Sequence, residues 1–266
     1  IQTGSHCRSL PGTPERSIIF SSEPSYTVQQ EPAVKKTLYW CRSCNIPLIG
    51  RSCGCGATGE SVLLYKPYDL RPALEADQAL ITRLIRDRFG DIPVPHVVLL
   101  NKTGGLDRNE LVIANGARFG WFSFNPVTRD HRFSLLPEAI PFVVPHAQKG
   151  IVEIPPGSGT GDSGSSRRIG GKKVSVVTSE PDGTVIVRFG DRYGTGTLSE
   201  GSVRVKELVR YEPASAPDPD WGEVIRKNYV RLKDMERSAV RAIRQEAGNF
   251  SHCNVSFSGG KDSTAV

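Results

Sequence analysis

Apolar residues in this chain fall mostly into short runs at strand-like spacing, and only two stretches repeat at helical spacing. Thr37-Leu38-Tyr39-Trp40 and Ser61-Val62-Leu63-Leu64-Tyr65 read as strands. The period then changes. Leu74, Ile81, Leu84, Ile85 and Phe89 form one stripe, so Asp69-Leu70-Arg71-Pro72 is expected to open a helix that runs to about Arg88, with Gly90 as its cap. His96-Val97-Val98-Leu99-Leu100 reads as a buried strand, followed by a turn over Asn101 to Arg108. Asn115-Gly116 between Leu111–Ala114 and Phe119–Phe124 predicts a hairpin, because both residues tolerate the left-handed turn conformation. Glu138 to about Lys149 predicts a short helix.

Beyond residue 150 the runs shorten. Ile151–Ile154, Val174–Val177, Val185–Val187 and Val203–Val205 are separated by Pro181-Asp182-Gly183 and by an expected loop from Gly190 to Gly196, a spacing that predicts a small β-barrel. The second helical stretch carries Trp221, Val224, Ile225, Leu232, Met235, Ala239 and Ile243 on one face. Asp220 with Glu223 reads as its N-terminal capping box, and Gly248 ends it. After His252-Cys253, Asn254–Phe257 is β-like, and Thr264-Ala265-Val266 read as the first turn of another helix.

The resulting fold class is multidomain α+β. We expect a disordered lead rich in Ser, Pro, Glu and Gln over 1–35, a cysteine knuckle over 36–66 and a small α+β domain over 67–150. A β-barrel over 151–212, with a flexible Gly/Ser-rich insert from Pro155 to Ser166, and a proline-stiffened linker over 213–220 follow. Residues 221–266 are then the helix, strand and loop that start an α/β nucleotide-binding domain. The start at Ile1, with Met235 the sole methionine, and the end at Val266 directly behind the loop lead us to expect a longer polypeptide at both ends.

Four of the six cysteines fall within one short stretch, Cys41-x-x-Cys44 and Cys53-x-Cys55. Close thiolate pairs on tight turns are how a protein presents a tetrahedral set to Zn²⁺, and Gly54 and Gly56 supply the turn backbone. The second pair is C-x-C, a departure from the usual C-x-x-C. No fifth ligand or open position is evident, so the expected role is structural. So small a unit has almost no core, and the metal is expected to stabilise it outright. A rubredoxin-type iron or iron–sulfur site is the weaker alternative. Cys7 and Cys253 stand alone and are read as incidental and buried, respectively.

Near the end of the chain, Ser258-Gly259-Gly260-Lys261-Asp262-Ser263 lies between the β-like run and the helix start. Paired glycines let backbone amides approach an anion at a helix N-terminus. Ser258 and Ser263 add hydroxyls, and Lys261 adds a charge. Asp262 orients the loop or holds a Mg²⁺ that carries phosphate oxygens. The spacing is not that of the Walker loop. His131 with Arg132, and Lys102 with Arg108, are further candidates for phosphate contact, although solvated loops account for them more simply.

Composition narrows the setting. The 266 residues are 38% hydrophobic and 23% charged, as in a globular protein, and hold neither a membrane-length apolar run nor a signal-peptide pattern. Metal-type cysteine spacing fits a reducing cytoplasm. A net charge of +6 permits an anionic partner. Over 151–212 nine Lys/Arg face eight Asp/Glu, yet the cations cluster at Arg167, Arg168, Lys172 and Lys173 and along Arg188, Arg192, Arg204, Lys206 and Arg210. RNA is therefore a candidate partner and a membrane is not.

The pattern S-G-G-x-D-S at 258–263 resembles the PP-loop superfamily of ATP pyrophosphatases, with the adenine nucleotide α-hydrolase-like fold. The order of knuckle, α+β domain, barrel, helix and loop over residues 36–266 resembles archaeal phosphoadenosine phosphosulfate (PAPS) reductase-like proteins, whose barrel is PUA-like. The supporting residues are Cys41-x-x-Cys44 with Asn45 and Pro47, Leu99-Leu100-Asn101-Lys102, Gly194-Thr195-Gly196 and Ser256–Ser263. The resemblance implies that the loop binds the phosphates of PAPS, adenosine phosphosulfate (APS) or ATP. In such reductases a cysteine beyond the PP-loop attacks sulfur, and a thiol or ferredoxin-type reductant releases sulfite. This chain ends before that position, so the catalytic residue is unassigned and expected beyond Val266, and this chain by itself is expected to bind nucleotide weakly without turnover. Two other readings stay open: an adenylating or thiolating ATP pyrophosphatase that holds tRNA through the PUA-like barrel, and a non-catalytic RNA-binding module.

Overall fold

The computed structural model describes residues 37–104, 109–155 and 173–248. They form a mixed α+β structure with three sheets and few helices. The first sheet is built from β1 (Leu38–Cys41), β2 (Ile46–Leu48) and β3 (Glu60–Val62), with β1 central and both neighbours antiparallel to it.

The second sheet holds β4 (Pro67–Pro72), β5 (Val98–Thr103), β6 (Asn109–Ala114), β7 (Ala117–Asn125) and β8 (Asp130–Leu135) as an antiparallel meander, with α1 (Glu75–Phe89) between β4 and β5. Both faces are covered. Ile81, Ile85 and Phe89 of α1 pack on Val98, Leu100, Val112 and Phe122, joined by Ile140 and Val143 of the short α2 (Ile140–Val143). On the opposite face, Leu99, Leu111 and Ile113 meet Trp40, Ile46 and Val62 of the first sheet. Burial on both sides explains why the run at 97–100 is uninterruptedly apolar. The hairpin turn is at Asn115-Gly116, with φ of 53° and 66°.

Four boundaries differ from the sequence expectation. Asp69-Leu70-Arg71-Pro72 does not open the helix; it belongs to strand β4, and α1 begins at Glu75. Proline disfavours helical backbone in the residue before it, so Arg71 is extended. Its guanidinium grips Glu110 of β6 at 3.2 and 3.1 Å and Asp77 at 2.6 Å, while Asp77 also accepts from the Leu74 amide at 3.2 Å and so caps α1. The expected turn at Asn101 is the continuation of β5. Asn101 is buried there, and its side chain bonds the backbone of Tyr65, Asp69 and Lys102. The helix expected from Glu138 to Lys149 is confined to a 3₁₀ turn at Pro137–Ala139 and α2.

The third sheet consists of β9 (Ile151–Glu153), β10 (Lys173–Ser175), β11 (Gly183–Phe189), β12 (Arg192–Ser199) and β13 (Ser202–Arg210), in the order β10-β13-β12-β11-β9 with β9 parallel to β11. Val185, Val187, Leu198, Val203 and Val205 fill its own core, while Ile186 enters the core around α1. Arg88 of α1 donates to the carbonyls of Thr184 and Pro181, both at 2.7 Å. The loop expected from Gly190 to Gly196 is the fourth difference, because most of it is strand β12. Its glycines are dictated by packing. A Cβ on Gly196 would lie 2.8 Å from methyls of both Val187 and Val203, and one on Gly194 would strike the Glu207 carbonyl.

The last described element is α3 (Trp221–Ala247), whose N-cap Asp220 accepts from the Glu223 amide at 2.6 Å. Among the described residues no helix is long and apolar enough to cross a membrane.

Candidate metal centre

Two tight turns bring the four cysteines together. Cys41 ends β1, and the chain reverses through Arg42–Asn45 into β2, placing Cys44 in the turn. The reversal needs a left-handed residue, supplied by Asn45 at φ 53°. The second turn is closed by Cys53 N–H to the Ala57 carbonyl and Gly56 N–H to the Cys53 carbonyl, each 2.9 Å, with Gly56 at φ 91°.

All four Sγ atoms lie within 4.8 Å of one another. The Cys41–Cys55 separation is 3.7 Å and the Cys44–Cys53 separation 3.9 Å. A zinc–thiolate tetrahedron with bonds of about 2.3 Å has sulfur–sulfur edges of about 3.8 Å. These separations are far too long for disulfides, whose sulfurs sit about 2.05 Å apart. An iron–sulfur core placed between the thiolates would push them further apart. The geometry therefore suits a single four-coordinate ion.

The protonation pattern suits it too. Burial, reinforced by the neighbouring thiols, pushes Cys44 up to about 12. Burial likewise raises Cys53. Cys55 is exposed and moves the other way, down to about 7, chiefly through a hydrogen bond from the Ala57 backbone. Such closely packed sulfurs cannot all ionise without a cation among them, and a bound ion displaces the remaining protons.

The knuckle is not the coreless unit that its length suggests. Trp40 is fully buried, and its Nε1–H donates to Asn45 Oδ1 at 2.9 Å. Asn45 Nδ2 in turn donates to Asn115 Oδ1 at 2.8 Å and to the Pro217 carbonyl at 2.7 Å. Arg42 reaches the Asn115 carbonyl at 3.0 Å. Gly116, at the tip of the β6–β7 hairpin, is packed so closely that a Cβ would lie 2.7 Å from the Trp40 ring. Sequence reasoning found the cysteines but missed Asn115 and Asn228 as parts of their surroundings. The Asn228 side chain accepts from the Ile49 amide and donates to the Pro47 carbonyl, both at 3.0 Å.

Among the described residues the structure gathers the remaining candidates into no common site. Ser258, Gly259, Gly260, Lys261, Asp262 and Ser263 lie outside the described residues, as do Cys7, Arg108, Arg167, Arg168, Lys172 and Cys253. His131 is on strand β8, stacked on Phe122 with ring centroids 5.4 Å apart, and Arg132 pairs with Asp130 at 3.3 Å. Lys102 faces Glu110 across the β5–β6 ladder. On the third sheet, Lys173 and Arg204 are exposed cross-strand neighbours, Arg188 lies over the Tyr193 ring and Arg210 is 3.6 Å from Asp191.

No family model matches the chain. No solved structure matches it. It is similar to an uncharacterized protein of Methanocaldococcus jannaschii, 27% identical over 258 residues that cover 85% of this chain and 53% of that protein. The chain thus spans about half the length of that relative.

Proposed function

We propose that this protein is a PP-loop nucleotide protein of the PAPS reductase-like type, with a structural zinc centre at Cys41, Cys44, Cys53 and Cys55. The observation that carries the nucleotide reading is the motif Ser258-Gly259-Gly260-Lys261-Asp262-Ser263 in a strand–loop–helix sequence context. Its amides, Lys261 and the serine hydroxyls bind the phosphates of PAPS, APS or ATP, and Asp262 orients the loop or holds Mg²⁺. The zinc reading rests on the sulfur separations, which match the edges of a thiolate tetrahedron. Unbridged cysteines at metal spacing fit a cytoplasmic location.

The test uses the reading frame that encodes this chain. PAPS, APS or ATP is supplied with a thiol or ferredoxin-type reductant, and sulfite is followed against AMP and pyrophosphate. Sulfite formation that is lost in Asp262→Ala supports the reductase. AMP and pyrophosphate formed from ATP and stimulated by RNA would replace it with an adenylating enzyme. That second reading is favoured by the Lys173–Arg204 pair: like charges opposite each other are unfavourable and suit an anionic partner. RNA binding indifferent to Asp262→Ala and unaccompanied by turnover would point to a non-catalytic module.

A further inference from the structure

Helix α3 is long but barely anchored. Of its 27 residues only Val224 and Asn228 are buried, and Met235, Val240 and Ile243 in its second half are exposed. Its hold on the rest of the described protein lies in its first turns, and the polar part of that hold falls on strand β2, on Ile49 just after it, and on the second cysteine turn. Asn228 Oδ1 accepts from the Ile49 amide, and Nδ2 donates to the carbonyls of Pro47 and of Val224. The Lys227 carbonyl accepts from Gly54 N–H at 3.1 Å. Pro47 and Ile49 lie between Cys44 and Cys53, and Gly54 lies between Cys53 and Cys55. The fit at Gly54 is close: a Cβ there would sit 2.9 Å from the Lys227 carbonyl oxygen and 3.2 Å from its Cα.

A helix carbonyl that already accepts from within the helix and also from Gly54 leaves no room for the cysteine loop to shift without breaking the contact. The backbone groups that hold Asn228 lie on and just after strand β2, the segment that joins the two cysteine turns. We infer that the metal centre is the latch of α3: metal occupancy sets the shape of the two cysteine loops, and these, through Gly54 and Asn228, set whether α3 is docked. Asn228 is a positioning residue in this scheme and Gly54 a steric one. The inference rests on the reading that the four cysteines hold one metal ion. It adds that the ion controls a helix to which it is not bonded.

Hydrogen exchange measured by mass spectrometry on the full chain tests this. Three samples are compared: zinc-loaded wild type, the same protein stripped by chelator, and zinc-loaded Asn228→Ala. Stripping is expected to speed exchange across Val224–Leu232 by roughly tenfold or more, while the β5–β7 amides change little. Asn228→Ala is expected to keep its metal and to show the same gain in α3. Zinc-loaded Gly54→Ala is expected to resemble Asn228→Ala. Stripping that leaves α3 exchange unchanged, or that speeds the β5–β7 amides equally, would overturn the latch. Unchanged α3 exchange in both variants would overturn the latch while leaving the metal centre standing. Failure of the wild type to bind zinc would overturn the metal reading and the latch with it.

Discussion

Asn45 joins the cysteine turns to the rest of the fold, and its replacement has a size that the structure sets. In Asn45→Ala the Trp40 Nε1–H, fully buried, loses its acceptor. An orphaned buried donor costs about 1–3 kcal/mol. The Asn115 side chain and the Pro217 carbonyl lose a donor they share, for about another 1 kcal/mol. Alanine must also hold the left-handed φ of 53°, at about 1 kcal/mol. The expected loss is thus about 3–5 kcal/mol, a large part of the stability of an ordinary domain. Asn45→Gly removes the same hydrogen bonds without the backbone strain and is expected to lose about 1 kcal/mol less. Urea denaturation of the zinc-loaded chain, followed by tryptophan fluorescence, measures both. A loss below about 1 kcal/mol in Asn45→Ala would refute the role given to this side chain, and identical losses in the two variants would refute the backbone strain.

Three other outcomes follow from the packing and the ionisation. Gly196→Ala is expected to cost about 1–3 kcal/mol, because the new methyl meets two valine methyls inside the third sheet. Gly190→Ala, where nothing lies within 4 Å, should cost only the left-handed strain of about 1 kcal/mol; paired thermal melts compare the two. Arg71→Ala strands the buried Glu110 and Asp77 carboxylates and is expected to cost about 3 kcal/mol, read by urea unfolding, with Arg71→Lys recovering only part because it lacks the fork that grips Glu110. Zinc affinity should rise with pH, since each thiol still protonated in the metal-free protein must release its proton on binding. Cys55, lowered to about 7, stops contributing above that pH, whereas Cys44, raised to about 12, contributes throughout. Competition titrations should therefore show the dependence flattening by about one proton above neutral pH.

The features legible in the sequence were those whose cause is local. Asn115-Gly116 announces its turn because the two residues themselves take the required backbone angles. Asp220 caps α3 with an amide three residues on, and the cysteines advertise their site by spacing. The features that were missed have distant causes. Asp69–Pro72 imitates a helix start, but Arg71 answers to Glu110, 39 positions away. Gly194 and Gly196 look like loop residues because glycine marks loops, whereas here the approach of β11 and β13 excludes a side chain. Strand β8, with Asp130, His131 and Arg132 at its start, has little of the apolar alternation that would reveal an edge strand. The asparagines that seat the knuckle leave no periodic trace, since Asn45 meets Asn115 at a separation of 70 and Pro47 meets Asn228 at 181.

The measurement that bears most directly on the account is the metal content of the purified chain together with X-ray absorption at the zinc edge. The account predicts one zinc per chain in a shell of four sulfurs at about 2.3 Å, and a shell of three sulfurs and one lighter atom in Cys55→Ser. A chain that holds no metal after zinc loading, or a first shell built from nitrogen and oxygen in the wild type, would contradict it.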